Sequence, residues 1–167
     1  MRGCQGRCRS VVILVAFQVL LAVGRPGTAG AVDWSVKTVP STDTPGTRCV
    51  LESASQSLPD GYQTTTAHIT VDKASVKVTS ASNLDESFRD IALVVDQRES
   101  VPMDRLAGEK TALFDSQYSH VVEQFKEGLR VQVQLRFWPT WPATGLHSVT
   151  FSLIGFTRAY GELSACP

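Results

Sequence analysis

The chain has 167 residues, 19% of them charged, and its 16 basic side chains balance its 16 acidic ones. Four of the basic residues and none of the acidic ones lie within the first 31, so the remaining 136 of the 167 residues carry an excess of four negative charges. That length is enough for one hydrophobic core but not for two domains. The acidic balance leaves no basic stripe, so we predict no nucleic-acid partner.

The start of the chain has the three parts of a secretory signal peptide. Arginines precede an apolar run at residues 11–24, and small residues at 29–31 form a cleavage site. We predict that residues 1–31 are cleaved, which leaves residues 32–167 as a single β-rich domain. The run is shorter than the about 20 apolar residues of a membrane helix. An uncleaved anchor is the alternative, but a periplasmic or secreted protein without a membrane span is the better interpretation.

Two cysteines remain after such a cleavage. Cys4 and Cys8 would leave with the signal peptide, whereas Cys49 and Cys166 would enter an oxidising compartment and could pair. A redox-active pair is the alternative, but its cysteines are normally close in sequence. We therefore predict a structural disulfide, with no cysteine left as a nucleophile.

The fold class follows from strand patterns along the rest of the chain. Stretches rich in threonine, serine and valine are separated by proline and glycine turn residues, as is typical of antiparallel sheets. We predict a mainly β, antiparallel β-sandwich-like single domain with two short helices. A turn is expected at residues 58–61, and a central, buried strand at 91–95. The predicted strands are residues 34–39, 48–52, 63–71, 74–78, 91–95, 129–137 and 148–153.

The most regular strand pattern is that of residues 129–137. Apolar residues alternate there with Arg130, Gln132, Gln134 and Arg136, as one buried and one solvated face require. Residues 148–153 repeat the pattern, so the two segments are predicted to form a long hairpin. The predicted inward positions of the first segment are Leu129, Val131, Val133, Leu135 and Phe137.

Helical spacing occurs at two places. Asp115 or Ser116 could cap the first helix, and Gly128 would end it. The second helix is predicted over residues 155–164, with Gly161 inside it at a cost of about 1 kcal/mol relative to alanine. The predicted core-facing residues are Tyr118, Val121, Val122, Phe125 and Leu129 in the first helix and Phe156, Ala159, Tyr160 and Leu163 in the second.

Three short segments resemble a known family. They are Ile91-Ala92-Leu93-Val94-Val95-Asp96, Glu123-Gln124-Phe125-Lys126-Glu127-Gly128 and Ser152-Leu153-Ile154-Gly155-Phe156-Thr157-Arg158-Ala159. With Trp34 and Cys49 they look like the invasion-associated locus B family of exported bacterial proteins. The resemblance implies a periplasmic or surface-exposed, β-sandwich-like domain without enzymatic activity and with an association with host-cell invasion. The further cysteines common in the family are missing from residues 111–119.

Few residues suggest catalysis or metal binding. His120 and Glu123 are one helical turn apart, but a zinc site needs three or four ligands. His68 and His147 are expected, like His120, on solvated faces. Asp85 and Glu86 could in principle serve a glycosidase, and a triad could assemble from distant positions. We predict no catalytic residues, no metal and no cofactor, with a periplasmic hydrolase as the least favoured alternative.

Two tryptophans mark the connection between the strands of the predicted hairpin. Trp138 and Trp141 alternate there with Pro139 and Pro142, and apolar side chains in loops tend to mark contacts. Our binding hypothesis is that Trp138 and Trp141 anchor an unidentified protein or glycan; the alternative, which the residues alone favour, is that both rings fold back over the end of the core. The sequence thus favours a non-catalytic protein-binding or envelope-support domain, with a small-ligand or glycan binder second. The oligomeric state stays open.

Overall fold

The computed structural model describes residues 33–41, 46–140 and 145–166. The predicted signal peptide and Trp141 lie outside these residues. In chain order the elements are β1 (Trp34–Pro40), β2 (Thr47–Ser53), β3 (Gln56–Pro59), β4 (Thr64–Val71), β5 (Val76–Ser80), β6 (Ala92–Val95), β7 (Val101–Pro102), β8 (Arg105–Leu106), β9 (Thr111–Phe114), α1 (Tyr118–Glu127), β10 (Arg130–Leu135), β11 (His147–Ser152) and α2 (Phe156–Ser164).

The strands form two antiparallel sheets with a shared core. The larger sheet has the order β1-β2-β4-β5-β9-β8, with β3 beside β4, and the smaller has the order β11-β10-β6-β7. Inward residues from both sheets, such as Ile69, Val78 and Val133, are fully buried in one cluster. The predicted sandwich-like β class with two helices is confirmed. The short strands β3, β7, β8 and β9 were not predicted.

The predicted hairpin is formed by β10 and β11. Val131 lies opposite Phe151 and Val133 opposite Val149, so the alternating apolar residues meet on one face. The prediction that Leu129 faces inward is wrong, because its side chain is 64% exposed. Leu129 precedes β10, and its backbone N–H donates to the Asp96 carboxylate at 2.7 Å, so it follows neither the helical nor the strand period.

β2 and β3 pair one after the other with the same side of β4, and a serine side chain bridges the break between them. β2 pairs with the end of β4 at Leu51 and Val71, whereas β3 pairs with its beginning at Leu58 and Thr65. At the break, the Ser53 hydroxyl accepts the N–H of Ile69 at 2.9 Å. This bond replaces a backbone partner at a buried position, where an unpaired N–H would be costly.

Both helices form where the apolar spacing predicts them. Val121, Val122 and Phe125 of α1 are buried. The predicted cap is wrong, because the residue before α1 is Gln117 and makes no side-chain cap bond. The turn before the helix is held by the carboxylate of Asp104, which accepts the N–H groups of Asp115 at 2.7 Å and Ser116 at 3.0 Å. The acceptor comes from a distant loop, which local spacing does not reveal.

A cluster of aromatic rings joins the sheets to the helices. Trp34 of β1 is buried, and its Nε1 donates to the carbonyl oxygen of Ser152 in β11 at 2.8 Å. Its ring centroid lies 4.9 Å from that of Phe156 in α2 and 6.3 Å from that of Phe125 in α1. One side chain therefore contacts both sheets and both helices.

A second contact joins the helices to the hairpin of β4 and β5. The Tyr118 hydroxyl donates to the carbonyl oxygen of Asp72 at 2.8 Å and lies 3.0 Å from the Tyr160 hydroxyl. Since the proton of Tyr118 is used at Asp72, Tyr160 donates to Tyr118. Burial, together with the bond to Tyr160, raises the pKa of Tyr118 above its usual range.

The predicted disulfide between Cys49 and Cys166 is confirmed. Cys49 lies in β2 and Cys166 directly after α2, and their Cα atoms are 6.3 Å apart, within the usual range for disulfides. The bond spans 117 residues of sequence separation and fastens the end of α2 to the larger sheet.

We expect the double change Cys49→Ala/Cys166→Ala to lower the free energy of unfolding by about 2–5 kcal/mol, because the unfolded chain loses a long covalent constraint. Chemical denaturation with and without reductant measures this loss. Reductant should shift the midpoint of the wild-type protein and leave that of the double variant unchanged. A wild-type midpoint insensitive to reductant would contradict the stabilising role.

Gly128 ends α1, as predicted, but for a different reason. Its backbone is extended (φ −85°, ψ 164°) rather than left-handed. A Cβ atom there would lie 2.5 Å from Cγ1 of Val95 and 2.9 Å from the carbonyl oxygen of Gln124. Glycine is thus required by the close approach of β6 to the end of the helix.

Two glycine substitutions should therefore have opposite effects. Gly128→Ala forces Val95 and the helix end apart, which we expect to cost about 1–3 kcal/mol. Gly161→Ala adds a Cβ within α2 where no atom beyond the neighbouring backbone of the helix lies within 4 Å, which should stabilise the protein by about 0.5–1 kcal/mol. Thermal unfolding of both variants tests the pair, and a loss of stability in Gly161→Ala would contradict it.

Candidate binding site

The segment that carries Trp138 is held by a short antiparallel pairing with residues 83–85. Phe137 and Leu84 form a β-bridge. The N–H of Asp85 donates to the carbonyl oxygen of Arg136, and the N–H of Trp138 to that of Asn83, both at 2.9 Å. The backbone on both sides of Phe137 is therefore fixed.

A buried carboxylate fastens the segment once more. Asp85 and Thr140 are both buried, and the Thr140 hydroxyl donates to the Asp85 carboxylate. The N–H of Ser87 donates to the same carboxylate at 2.9 Å. Burial by itself would raise the pKa of Asp85, but the hydrogen bonds from Thr140 and Ser87 outweigh it and lower the pKa. Asp85 is thus an ionised anchor for the loop.

Tyr62 approaches the same segment from the turn between β3 and β4. Its hydroxyl donates to the carbonyl oxygen of Pro139 at 3.1 Å. The Asp60 carboxylate orders this turn by accepting the N–H groups of Tyr62 at 2.9 Å and Gln63 at 2.8 Å. A bond from the Ser82 hydroxyl lowers the pKa of Asp60.

The result is an exposed aromatic surface on a fixed backbone. The side chain of Trp138 is 62% exposed and that of Tyr62 is 54% exposed. The Trp138 ring does not cover the core, unlike the alternative considered from the sequence. Trp141, the second predicted anchor, lies outside the described residues.

Arg136 forms the other side of this end of the fold. The sequence pattern places it on the solvated face of β10, but it is buried. Its guanidinium binds the Asp90 carboxylate through Nε at 2.9 Å and lies 4.2 Å from the centroid of the exposed Phe88 ring. The bond to Asp90 raises the pKa of Arg136. Two residues before Trp138, the chain is therefore fixed by a charge pair.

The histidines do not form a site together. His120 lies with its Nε2 2.8 Å from the Gln124 amide rather than in a pair with Glu123. His147 lies beside Phe137, with ring centroids 5.6 Å apart, and His68 is opposite Thr79 on the larger sheet. Among residues 33–41, 46–140 and 145–166, no three histidine, cysteine or acidic side chains are arranged to hold a metal ion. Asp85, one of the two acids considered for a glycosidase, instead accepts hydrogen bonds from Thr140 and Ser87.

The sequence did not reveal Tyr62 or the bond between Asp85 and Thr140. The turn at residues 58–61 was predicted, but its approach to Pro139 depends on how the two sheets pack. Asp85 was considered only as one of two neighbouring acids in a polar loop. Its burial follows from the pairing of residues 83–85 with residues 136–138, which are distant in sequence.

Comparisons with protein-family models, curated proteins and solved structures found no match. The resemblance to the invasion-associated locus B family therefore stays a prediction. No helix in the described part of the chain is long and apolar enough to cross a membrane. The disulfide is compatible with a location outside the cytoplasm, where such bonds persist.

Asp85 should make the stability of the protein dependent on pH in the acid range. Its folded-state pKa is lowered, so its contribution is complete above the unfolded-state pKa of about 3.9 and is lost as the pH falls through the folded-state value. We expect Asp85→Asn to lose less melting temperature than the wild type between about pH 4 and pH 2. Glu86→Gln, the same charge change at an exposed neighbour, is the control. Equal acid-induced losses in Asp85→Asn and wild type would contradict the anchoring role.

Proposed function

We propose that this chain is a non-catalytic binding domain that contacts its partner through the end of the fold carrying Trp138 and Tyr62. The observation that carries the proposal is the 62% exposure of the Trp138 side chain on a backbone held by hydrogen bonds on both sides. Large aromatic side chains are the residues that most often dominate binding energy when a partner covers them.

The rigidity of the segment supports this use. Because the N–H of Trp138, the carbonyl of Pro139 and the hydroxyl of Thr140 are all bonded to other parts of the fold, little backbone freedom would be lost on binding. An exposed indole that is already in place contributes its burial without a large ordering cost. The two rings thus resemble a preformed contact surface.

A protein partner is favoured by the apolar character of this end. Phe88 is 54% exposed where it covers Arg136, and Leu146, just before β11, is 41% exposed. The centre of a protein interface is typically more apolar than the rest of the surface, with aromatic residues enriched and charged residues depleted. We propose an exported location, periplasmic or extracellular. The resemblance to the invasion-associated family extends the proposal to envelope support or host contact.

A glycan is the second candidate partner. Asn83, whose carbonyl accepts the N–H of Trp138, has its side-chain amide 3.0 Å from the carboxylate of Glu109, and both groups are exposed. An amide and a carboxylate can bind the hydroxyl groups of a sugar, and an aromatic ring can bind its face. The observation that favours this candidate is therefore the polar side-chain pair on the residue whose backbone is bonded to Trp138.

The test compares Trp138→Ala with Ile154→Ala. Ile154 is 71% exposed after β11, at the opposite end of the hairpin, so its truncation removes similar apolar area from another surface. Proteins that the wild type and each variant capture from the native envelope are identified and purified, and their binding affinities are then measured directly. A glycan array is probed in parallel. We expect Trp138→Ala to weaken binding at least about tenfold, as truncation of an aromatic anchor does.

Ile154→Ala should bind as the wild type does. A purified partner that binds Trp138→Ala and wild type equally would contradict the proposed surface. Binding only on the glycan array, lost in Trp138→Ala, would assign the second candidate instead of the first. Melting temperatures of both variants confirm that neither change unfolds the domain.

A further inference from the structure

A separate groove lies on the outer face of the larger sheet. It has a volume of about 580 Å³ and is lined by residues of β2, β5, β8 and β9 and of the turn between β4 and β5. That volume is in the range of small-molecule sites. The groove involves neither Trp138 nor Tyr62, so a ligand bound in it would be independent of the partner proposed for the aromatic surface.

Strand register brings two cations of the groove to one face. Lys77 of β5 lies opposite Leu113 of β9, and Leu113 lies opposite Arg105 of β8. Residues directly opposite each other project to the same side of a sheet, and each strand step is about 4.8 Å. Lys77 and Arg105 therefore flank the apolar side chain of Leu113, with backbones about 10 Å apart.

A buried carboxylate holds Lys77 together with a third cation, Arg48. Oδ2 of Asp72 accepts hydrogen bonds from Nη1 of Arg48 at 3.2 Å and from Nζ of Lys77 at 2.9 Å. Its Oδ1 accepts the N–H groups of Ala74 at 2.9 Å and Ser75 at 2.7 Å. Burial alone would raise the pKa of Asp72, but the bonds from Lys77 and these N–H groups lower it, so the carboxylate stays ionised.

The cations are more exposed than the carboxylate that holds them. The side chain of Asp72 is 10% exposed, whereas those of Lys77 and Arg48 are 25% and 37% exposed. Nε of Arg48 is buried and has no hydrogen-bond partner among the described residues. Since Asp72 accepts a hydrogen bond only from Nη1, the Arg48 guanidinium has further N–H donors for a ligand.

Arg105 and a fourth cation, Lys73, complete the lining. Arg105 binds the Asp115 carboxylate through Nη1 at 2.6 Å, and its side chain is 58% exposed. Lys73 is exposed, and its Nζ donates to the carbonyl oxygen of Cys166 at 3.0 Å. The disulfide that holds Cys166 thereby also fixes the position of one lysine of the groove.

The charge of the groove is opposite to that of the domain. Four cations and two carboxylates line it, a net charge of +2, although residues 32–167 as a whole have four more acidic than basic side chains. A phosphate monoester carries a charge of about −1.5 to −2 at neutral pH. Arginine donors match phosphate oxygens in pairs, and lysine adds a compact charge.

We propose that this groove is a binding site for a phosphorylated small molecule, whose phosphate contacts Arg48, Lys77 and Arg105. The groove volume of about 580 Å³ leaves space for a group larger than phosphate itself. Leu113 offers an apolar surface between Lys77 and Arg105, and Thr111, two residues before it in β9, offers a hydroxyl.

The test measures binding by calorimetry with the purified disulfide-bonded protein at low ionic strength. The probes are inorganic phosphate, inorganic pyrophosphate and glucose 6-phosphate. The variant is Arg105→Gln and the control is Arg98→Gln. Arg98 binds Glu127 at 3.0 Å in an exposed pair, so each change removes one positive charge and one exposed ion pair.

We expect at least one probe to bind, with affinity about tenfold weaker in Arg105→Gln, the usual effect of losing one contact to a charged group. Arg98→Gln should bind as the wild type does, and added salt should weaken binding. Preference for glucose 6-phosphate or pyrophosphate supports a phosphorylated small molecule, and preference for inorganic phosphate assigns the free ion to the same site. Absence of binding for all three probes, or equal weakening in both variants, would overturn the proposal.

Discussion

The indole of Trp34 is the contact on which the packing of this domain depends most. It projects from β1 of the larger sheet, and its N–H bonds to the backbone of β11 in the smaller one. The same ring packs against α1 and α2 through Phe125 and Phe156. A phenylalanine could fill much of this space but has no N–H group, so the partly buried Ser152 carbonyl would lose this hydrogen bond. Four elements that are distant in sequence are thus aligned by one side chain.

Polar contacts then fix the two surfaces for which we propose binding. At one surface, Asp85 and Asp60 hold the segments that present Trp138 and Tyr62. At the other, Asp72 holds Arg48 and Lys77. In all three cases a carboxylate accepts several donors, which lowers its pKa and keeps it ionised. The aspartates are therefore structural groups, and the aromatic rings and cations around them remain available to ligands.

Local periodicity was enough to predict most of the fold. The alternation of β10 and β11 and the apolar stripes of α1 and α2 depend on residues a few positions apart, and the structure has these elements where the patterns place them. Strands of two residues, such as β7 and β8, carry no periodic signal. Without β8 and β9, the sequence could not show that Arg105 lies in line with Lys77.

The aromatic site could likewise be predicted only in part. Trp138 stands out in the sequence because tryptophan is unusual in a loop, and its exposure agrees with the binding hypothesis rather than with a ring folded over the core. The hydrogen bonds that hold its segment could not be predicted, because Asp85 and Tyr62 reach the segment only through the packing of two sheets. Likewise, the bonds of Asp104 to the turn before α1 and the exposure of Leu129 depend on contacts between segments that are not neighbours in sequence.

The brevity of β7 and β8 has a consequence for how the molecule behaves in a crowded solution. Each of them ends its sheet on one side. An outermost strand normally offers a row of free N–H and C=O groups to which another chain can add. With two residues each, β7 and β8 offer too few such groups for a foreign strand to pair along them, and Pro102 removes one more donor from β7. At these two borders, the addition of a strand from another copy is therefore disfavoured.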